Sequence, residues 1–148
     1  MGMITDKLAD EWENNLPKSG WTYRLIEKAE DSTSLKNRIW AIGALGNSRD
    51  PRAVRSLIGC CNDQNPDIRR CAIEGLKCIR SGRSVEALIA RLRDKEEQPE
   101  IRLSAAGALA SIRSFGAMIE LRNRYADPDE EENIRTFIGG ELERVKPW

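Results

Sequence analysis

Apolar residues recur along this chain at helical spacing, in short blocks separated by polar turns. Val54, Leu57, Ile58 and Cys61 stand at i, i+3, i+4 and i+7, the stripe of a helix with one buried face. Val85, Leu88, Ile89 and Leu92 repeat that spacing, and Met118, Leu121 and Tyr125 follow it in part. Trp21, Leu25, Ile26 and Ala29 predict a further helix of this kind. An earlier stripe, Ile4, Leu8, Trp12 and Leu16, predicts a capping helix over 1–18. Asp50-Pro51 suits a helix start, because Asp can cap free amides and Pro tolerates the first helical position. Turns are expected at Asn65-Pro66, Gln98-Pro99 and Asp127-Pro128, where Pro blocks continuation of the preceding helix. No alternating strand pattern is present.

After each turn comes a second kind of segment. Asn37-Arg38 with Ala41, Ala44 and Leu45 returns as Ile68-Arg69 with Ala72, Gly75 and Leu76. It returns again as Ile101-Arg102 with Ala105, Ala108 and Leu109, and as Ile134-Arg135 with Ile138 and Leu142, at intervals of 31 to 33 residues. A fixed period in this range marks a solenoid, whose units bury apolar faces only against their neighbours. Small residues through these segments let helix axes approach closely. The expected fold is therefore all-α, an α–α superhelix in one domain spanning 1–148. It comprises the cap helix over 1–18 and about four antiparallel helix pairs over 21–47, 51–80, 84–113 and 115–146.

Charge adds one feature. The chain is formally neutral, but residues 1–31 carry seven acids and four bases, and residues 127–148 seven acids and three bases. The middle therefore holds ten acids against seventeen bases. Such a basic middle can steer an acidic partner or simply lie along solvated helix faces. The acidic run from Asp127 to Glu132 suits a helix start and could also dock a basic partner. No segment reaches the roughly 20 apolar residues of a membrane span, and acids occupy the N-terminal region where a signal peptide would be apolar. A cytoplasmic protein is expected.

The sequence contains no His, which removes the usual general base and the commonest metal ligand. Cys60, Cys61, Cys71 and Cys78 lack the Cys-x-x-Cys spacing of a metal half-site. Most of them read as small core hydrophobes, while Cys71 and Cys78 could instead face a groove. No catalytic residue, metal or cofactor is expected.

The motif Ile-Arg-x-x-Ala-x-x-x-Leu, the Leu45-Gly46 ending and the run Asp50-Pro51-Arg52-Ala53-Val54 with Leu57-Ile58 resemble HEAT repeats. They are most similar to the short HEAT-like units of phycocyanobilin lyases. The resemblance covers about residues 21–145 and is weakest in the first and last units; in the last, Ile138 replaces a small residue. It identifies a fold used by many scaffolds. It implies that Arg38, Arg69, Arg102 and Arg135 form a structural ladder with the inter-helix acids Asp31, Asp63, Asp94 and Asp127, or with carbonyls of neighbouring units. Iron-dependent hydroxylases built on similar repeats use His-Glu ligand pairs, which cannot be matched here.

The resemblance further implies that the second helices line a concave groove, with the two positions after each Arg facing into it. These are Ile39 and Trp40, Arg70 and Cys71, Leu103 and Ser104, and Thr136 and Phe137. One turn later come Gly43, Glu74, Gly107 and Gly140, and then Asn47, Cys78, Ser111 and Arg144. Ile, Trp, Leu and Phe in such columns suggest an apolar strip, with glycines admitting a ligand close to the backbone. Aromatic anchors beside Arg are the composition of a protein-binding hot spot. The same residues could instead pack between units or form a homodimer seam.

The leading expectation is a non-catalytic adaptor that binds another protein in this groove. A bilin-lyase-type or tetrapyrrole-binding role, with Arg70, Arg144 and Cys71 as contributors, is the alternative implied by the resemblance. Nucleic-acid binding is a third, opposed by neutral charge and the lack of Lys/Arg clustering.

Overall fold

The computed structural model describes residues 19–145, so the predicted capping helix over 1–18 lies outside the described residues. Eight α-helices follow one another: α1 (Ser19–Glu30), α2 (Leu35–Ser48), α3 (Val54–Cys60), α4 (Pro66–Ile79), α5 (Val85–Arg93), α6 (Pro99–Ile112), α7 (Phe115–Ala126) and α8 (Glu132–Arg144). No strand occurs among the described residues. Helices pair as α1–α2, α3–α4, α5–α6 and α7–α8.

Local chemistry explains the boundaries. Ser34 Oγ accepts the Asn37 N–H at the start of α2, and Asn65 Oδ1 accepts the Asp67 N–H beside Pro66 at the start of α4. Each such cap satisfies an amide that the helix leaves free. Asp50 does cap, accepting from Arg52 N at 2.9 Å, but it opens a single 3₁₀ turn, Pro51–Ala53, before α3 begins at Val54. Gly82–Ser84 forms the same kind of turn ahead of α5.

The turns between units reverse the chain through one left-handed residue. Arg49, Arg80 and Arg113 end α2, α4 and α6 with φ of 56°, 60° and 59°. Each donates its N–H back into the helix it closes, to Gly46, Leu76 and Leu109 carbonyls respectively. Glycine or Asn is usual at this position, and another residue there costs roughly 1–2 kcal/mol.

One continuous core runs through the stack. Leu25, Leu45, Leu57, Leu76, Leu88, Leu109, Leu121 and Ile138 are all buried in it. Second helices pack closely on their successors, whereas first helices barely meet theirs. The layer with the shorter spacing lies inside the curve, so α2, α4, α6 and α8 form the concave side. Glycine makes the tightest approach possible. A Cβ added to Gly46 would lie 2.5 Å from Gly75 Cα, so α2 and α4 touch backbone to backbone.

Candidate functional site: the second-helix face and its arginine ladder

The ladder arginines reach in two directions. Arg38 Nε donates to Ala29 O at 2.8 Å within its own unit, and its Nη2 donates to Asp63 of the next unit at 2.9 Å. Arg69 holds the Asp63 and Gln64 carbonyls and grips both carboxylate oxygens of Glu97 at 2.8 Å. Arg102 repeats this with Leu92 O and with both oxygens of Glu130, all at 2.8 Å. Arg135 donates to Tyr125 O at 3.1 Å and meets no carboxylate among the described residues. Arg38, Arg69 and Arg102 thus fasten the end of a first helix, or the turn after it, and clamp the following unit, whereas Arg135 only fastens its own.

The expected acids are corrected in two of three rungs. Asp63 is a partner, but Glu97 and Glu130 replace Asp94 and Asp127 in the clamp. The reason is turn length: Asp63 stands three residues before Pro66, whereas Asp94 stands five before Pro99. The longer turn swings the first Asp away and brings the carboxylate three residues later under the Arg. Asp31, Asp63, Asp94 and Asp127 share a different task, each accepting the N–H two residues on at 2.9 Å. Asp31 pairs with no ladder Arg at hydrogen-bond distance.

Burial acts to raise the Glu130 carboxyl, but hydrogen bonds from Arg102, Glu131 N–H and Lys95 outweigh it and hold the group below its ordinary range. Glu97 is likewise lowered against its burial, by Arg69, the Gln98 N–H and Arg91. Arg102 and Glu130 side chains are both fully buried. Arg102 Nη1 is buried without a hydrogen bond, 3.6 Å from Glu131 Oε1.

The proposed groove strip divides. Trp40 is 54% exposed, with Lys28 Nζ 5.5 Å from its ring centroid. Ile39, Leu103 and Phe137 are half-buried and pack against the core. Phe137 lies across Gly107, where an added Cβ would meet its Cζ at 3.6 Å, so Gly107 is buried beneath a neighbouring unit. The large apolar residues therefore do not form one continuous exposed strip; three of the four serve packing between units. Ser104 is half-buried, Glu74 and Arg144 are exposed, and Gly140 borders a cleft made by α7 and α8 alone, with Arg135 and Tyr125.

What remains open is the α2–α4 section. A cleft of about 380 Å³, lined mostly by apolar atoms, lies between these helices. Gly43, Gly46 and Asn47 supply one side, and Arg70, Cys71, Glu74, Gly75 and Cys78 the other. A Cβ on Gly43 would meet nothing within 4 Å, so this glycine opens onto free space. Trp40 stands one helical turn before Gly43 on the same face. Among the described residues Arg70 pairs only with Asp67 of its own helix, at 3.0 Å. Burial raises the Cys71 thiol, and it raises the Cys61 thiol in the core to about 12.

Sequence reasoning missed Glu97 and Glu130 because it aligned turns by their first Asp. It also missed Glu120, which is buried and receives Arg93 from the preceding first helix at 2.6 and 2.9 Å. Lys28, the cation over Trp40, carries no sequence signal because it comes from a different helix. No described helix is long and apolar enough to cross a membrane.

Comparison with known proteins agrees with this architecture. Human deoxyhypusine hydroxylase in complex with glycerol is similar in structure, with a TM-score of 0.73 and 25% identity. The match covers 82% of this chain and 42% of that one, so the chain spans less than half of the hydroxylase. No curated protein matches the chain. The family model for HEAT repeats matches residues 23–110, more than half of the sequence, and the chain belongs to that family.

Proposed function

We propose that this protein is a non-catalytic HEAT-repeat adaptor that binds another protein on its second-helix face, at the α2–α4 cleft. The observation that carries the reading is Trp40, a large aromatic left half exposed beside an open glycine and an apolar cleft. An exposed Trp next to an apolar cleft is the composition of an interface anchor. Lys28 over the ring keeps the indole oriented in the free protein, which lowers the ordering cost of binding.

The hydroxylase activity of the structural relative is not proposed here. The sequence has no His, and the described residues include no group of three His, Cys, Asp or Glu able to hold a metal. The phycocyanobilin-lyase subtype is a competing outcome of the test rather than a second proposal.

The test compares affinity capture by wild type and by Trp40→Ala/Gly43→Gln, both checked for helical circular dichroism. Gly43 has room for a side chain, so the variant should fold and fill the cleft. A protein retained by wild type and lost by the variant supports the reading. Equal capture by both, or a visible absorption change with a linear tetrapyrrole instead of protein capture, overturns it.

A further inference from the structure

A second arginine column runs along one edge of the stack. Arg49, Arg80 and Arg113 each follow a ladder arginine by eleven residues. The same offset from Arg135 falls on Lys146, outside the described residues. All three arginines occupy the left-handed cap position that glycine fills without strain. The helix dipole favours a cation anywhere in the last turn, so it does not call for one at this strained residue. Unlike the clamped ladder, this column is uncompensated. Among the described residues Arg49, Lys77 and Arg80 side chains have no hydrogen bond or ion pair, and Arg113 reaches only Val145 O at 3.4 Å.

Two adjoining clefts lie along this edge, of about 500 and 330 Å³. Arg49, Lys77 and Arg80 line the first; Lys77, Arg80, Arg113 and Arg144 line the second. Their acids are Glu74 and Glu141, and Glu141 is already engaged by Arg144 at 2.9 Å. The first cleft shares Glu74 and Cys78 with the apolar cleft beside Gly43. The edge is therefore a trough, apolar between α2 and α4 and basic along the helix ends from Arg49, which closes α2, to α8.

We propose that this trough binds an extended acidic peptide segment of the partner protein, with carboxylates meeting Arg49, Arg80 and Arg113 in succession. The partner's existence rests on the adaptor reading; the charge of the segment does not. Packed helices stand about 8–10 Å apart, and an extended chain advances about 3.3–3.6 Å per residue. Acids at every third residue therefore match successive rungs. Nucleic acid fits less well, since the chain has no net charge to attract a dense polyanion, whereas a short peptide with one carboxylate per rung needs only the local arginine column.

The test is fluorescence anisotropy with a labelled peptide of six Glu-Gly-Ser units, its Gln-Gly-Ser counterpart and a single-stranded DNA of similar length. The proteins are wild type, Arg49→Gly/Arg80→Gly/Arg113→Gly and Trp40→Ala. Glycine suits the left-handed caps, so the triple variant keeps its fold. Wild type should bind the acidic peptide, in a salt-sensitive way, about tenfold or more tightly than the Gln peptide and than the triple variant does. Trp40→Ala should keep that binding even if it loses the captured partner, which separates failure here from failure of the adaptor reading. Equal binding by the triple variant, equal binding of the Gln peptide, or tighter binding of DNA overturns the proposal.

Discussion

Replacing Glu130 by Ala should be among the most damaging single changes in this chain. The substitution strands Arg102, a fully buried guanidinium whose carboxylate partner lies at 2.8 Å through two contacts. Removing one member of a buried pair costs about 3–5 kcal/mol, because the other charge stays buried and unpaired. At ~3 °C of Tm per kcal/mol for a chain of this size, the loss is roughly 10–15 °C. Lys95 also loses its carboxylate, at 3.2 Å, whereas Arg124, 3.7 Å from Glu130, keeps Glu120 and Asp127 at 3.2 Å. Arg102→Leu/Glu130→Leu should recover much of the loss, since apolar replacement of a whole buried pair is often neutral. Arg135→Ala is the internal control: the same register with only a carbonyl acceptor should cost about 1 kcal/mol or less. Urea unfolding of the four proteins checks these figures. A Glu130→Ala loss no larger than that of Arg135→Ala would refute the clamp as the source of inter-unit stability.

Gly46→Ala should destabilise by about 1–3 kcal/mol, because its Cβ meets the Gly75 backbone at 2.5 Å, whereas Gly43→Ala should stabilise by about 0.5–1 kcal/mol; both read out in urea melts. Arg80→Gly should stabilise by about 1 kcal/mol by relieving the left-handed cap, and a loss would contradict that geometry. Acid should erode stability from below the unfolded carboxyl values of 3.8 and 4.5. Asp63, Glu97 and Glu130 are lowered in the fold, and Asp50 sits at about 2, held chiefly by Arg52. The unfolded chain therefore takes up protons first, so the stabilisation is complete above these values and lost as pH falls through the folded ones. A Tm that is flat from pH 5 to 2 would contradict this. With a thiol reagent at neutral pH, exposed Cys78 should react first, while buried Cys61, raised to about 12, reacts only on unfolding.

The repeat architecture was legible in the sequence because each unit restates the same apolar and small-residue pattern, and because Pro66 and Pro99 mark helix starts chemically. The ladder arginines were legible for the same reason. Their partners were not: Glu97 and Glu130 become visible only once a turn two residues longer is folded, and alignment by Asp63 points to Asp94 and Asp127 instead. Period alone places Ile39, Trp40, Leu103 and Phe137 in comparable columns, yet it cannot say which side chain turns toward a neighbour. That depends on the residue opposite, as Gly107 shows by making room for Phe137. The column Arg49, Arg80 and Arg113 was present in the sequence but silent, since a left-handed backbone filled by arginine gives no local signal.

The central claim, that a partner protein is bound on the second-helix face, is tested most directly by site-specific photo-cross-linking. A benzophenone side chain would replace the exposed Asn47 at the α2–α4 cleft in one protein, leaving Trp40 in place, and the exposed Arg55 of first helix α3 in another. Cross-links to a discrete protein from position 47, with none from position 55, are the predicted result. Cross-links from position 55 alone would place the partner on the opposite layer and contradict the account.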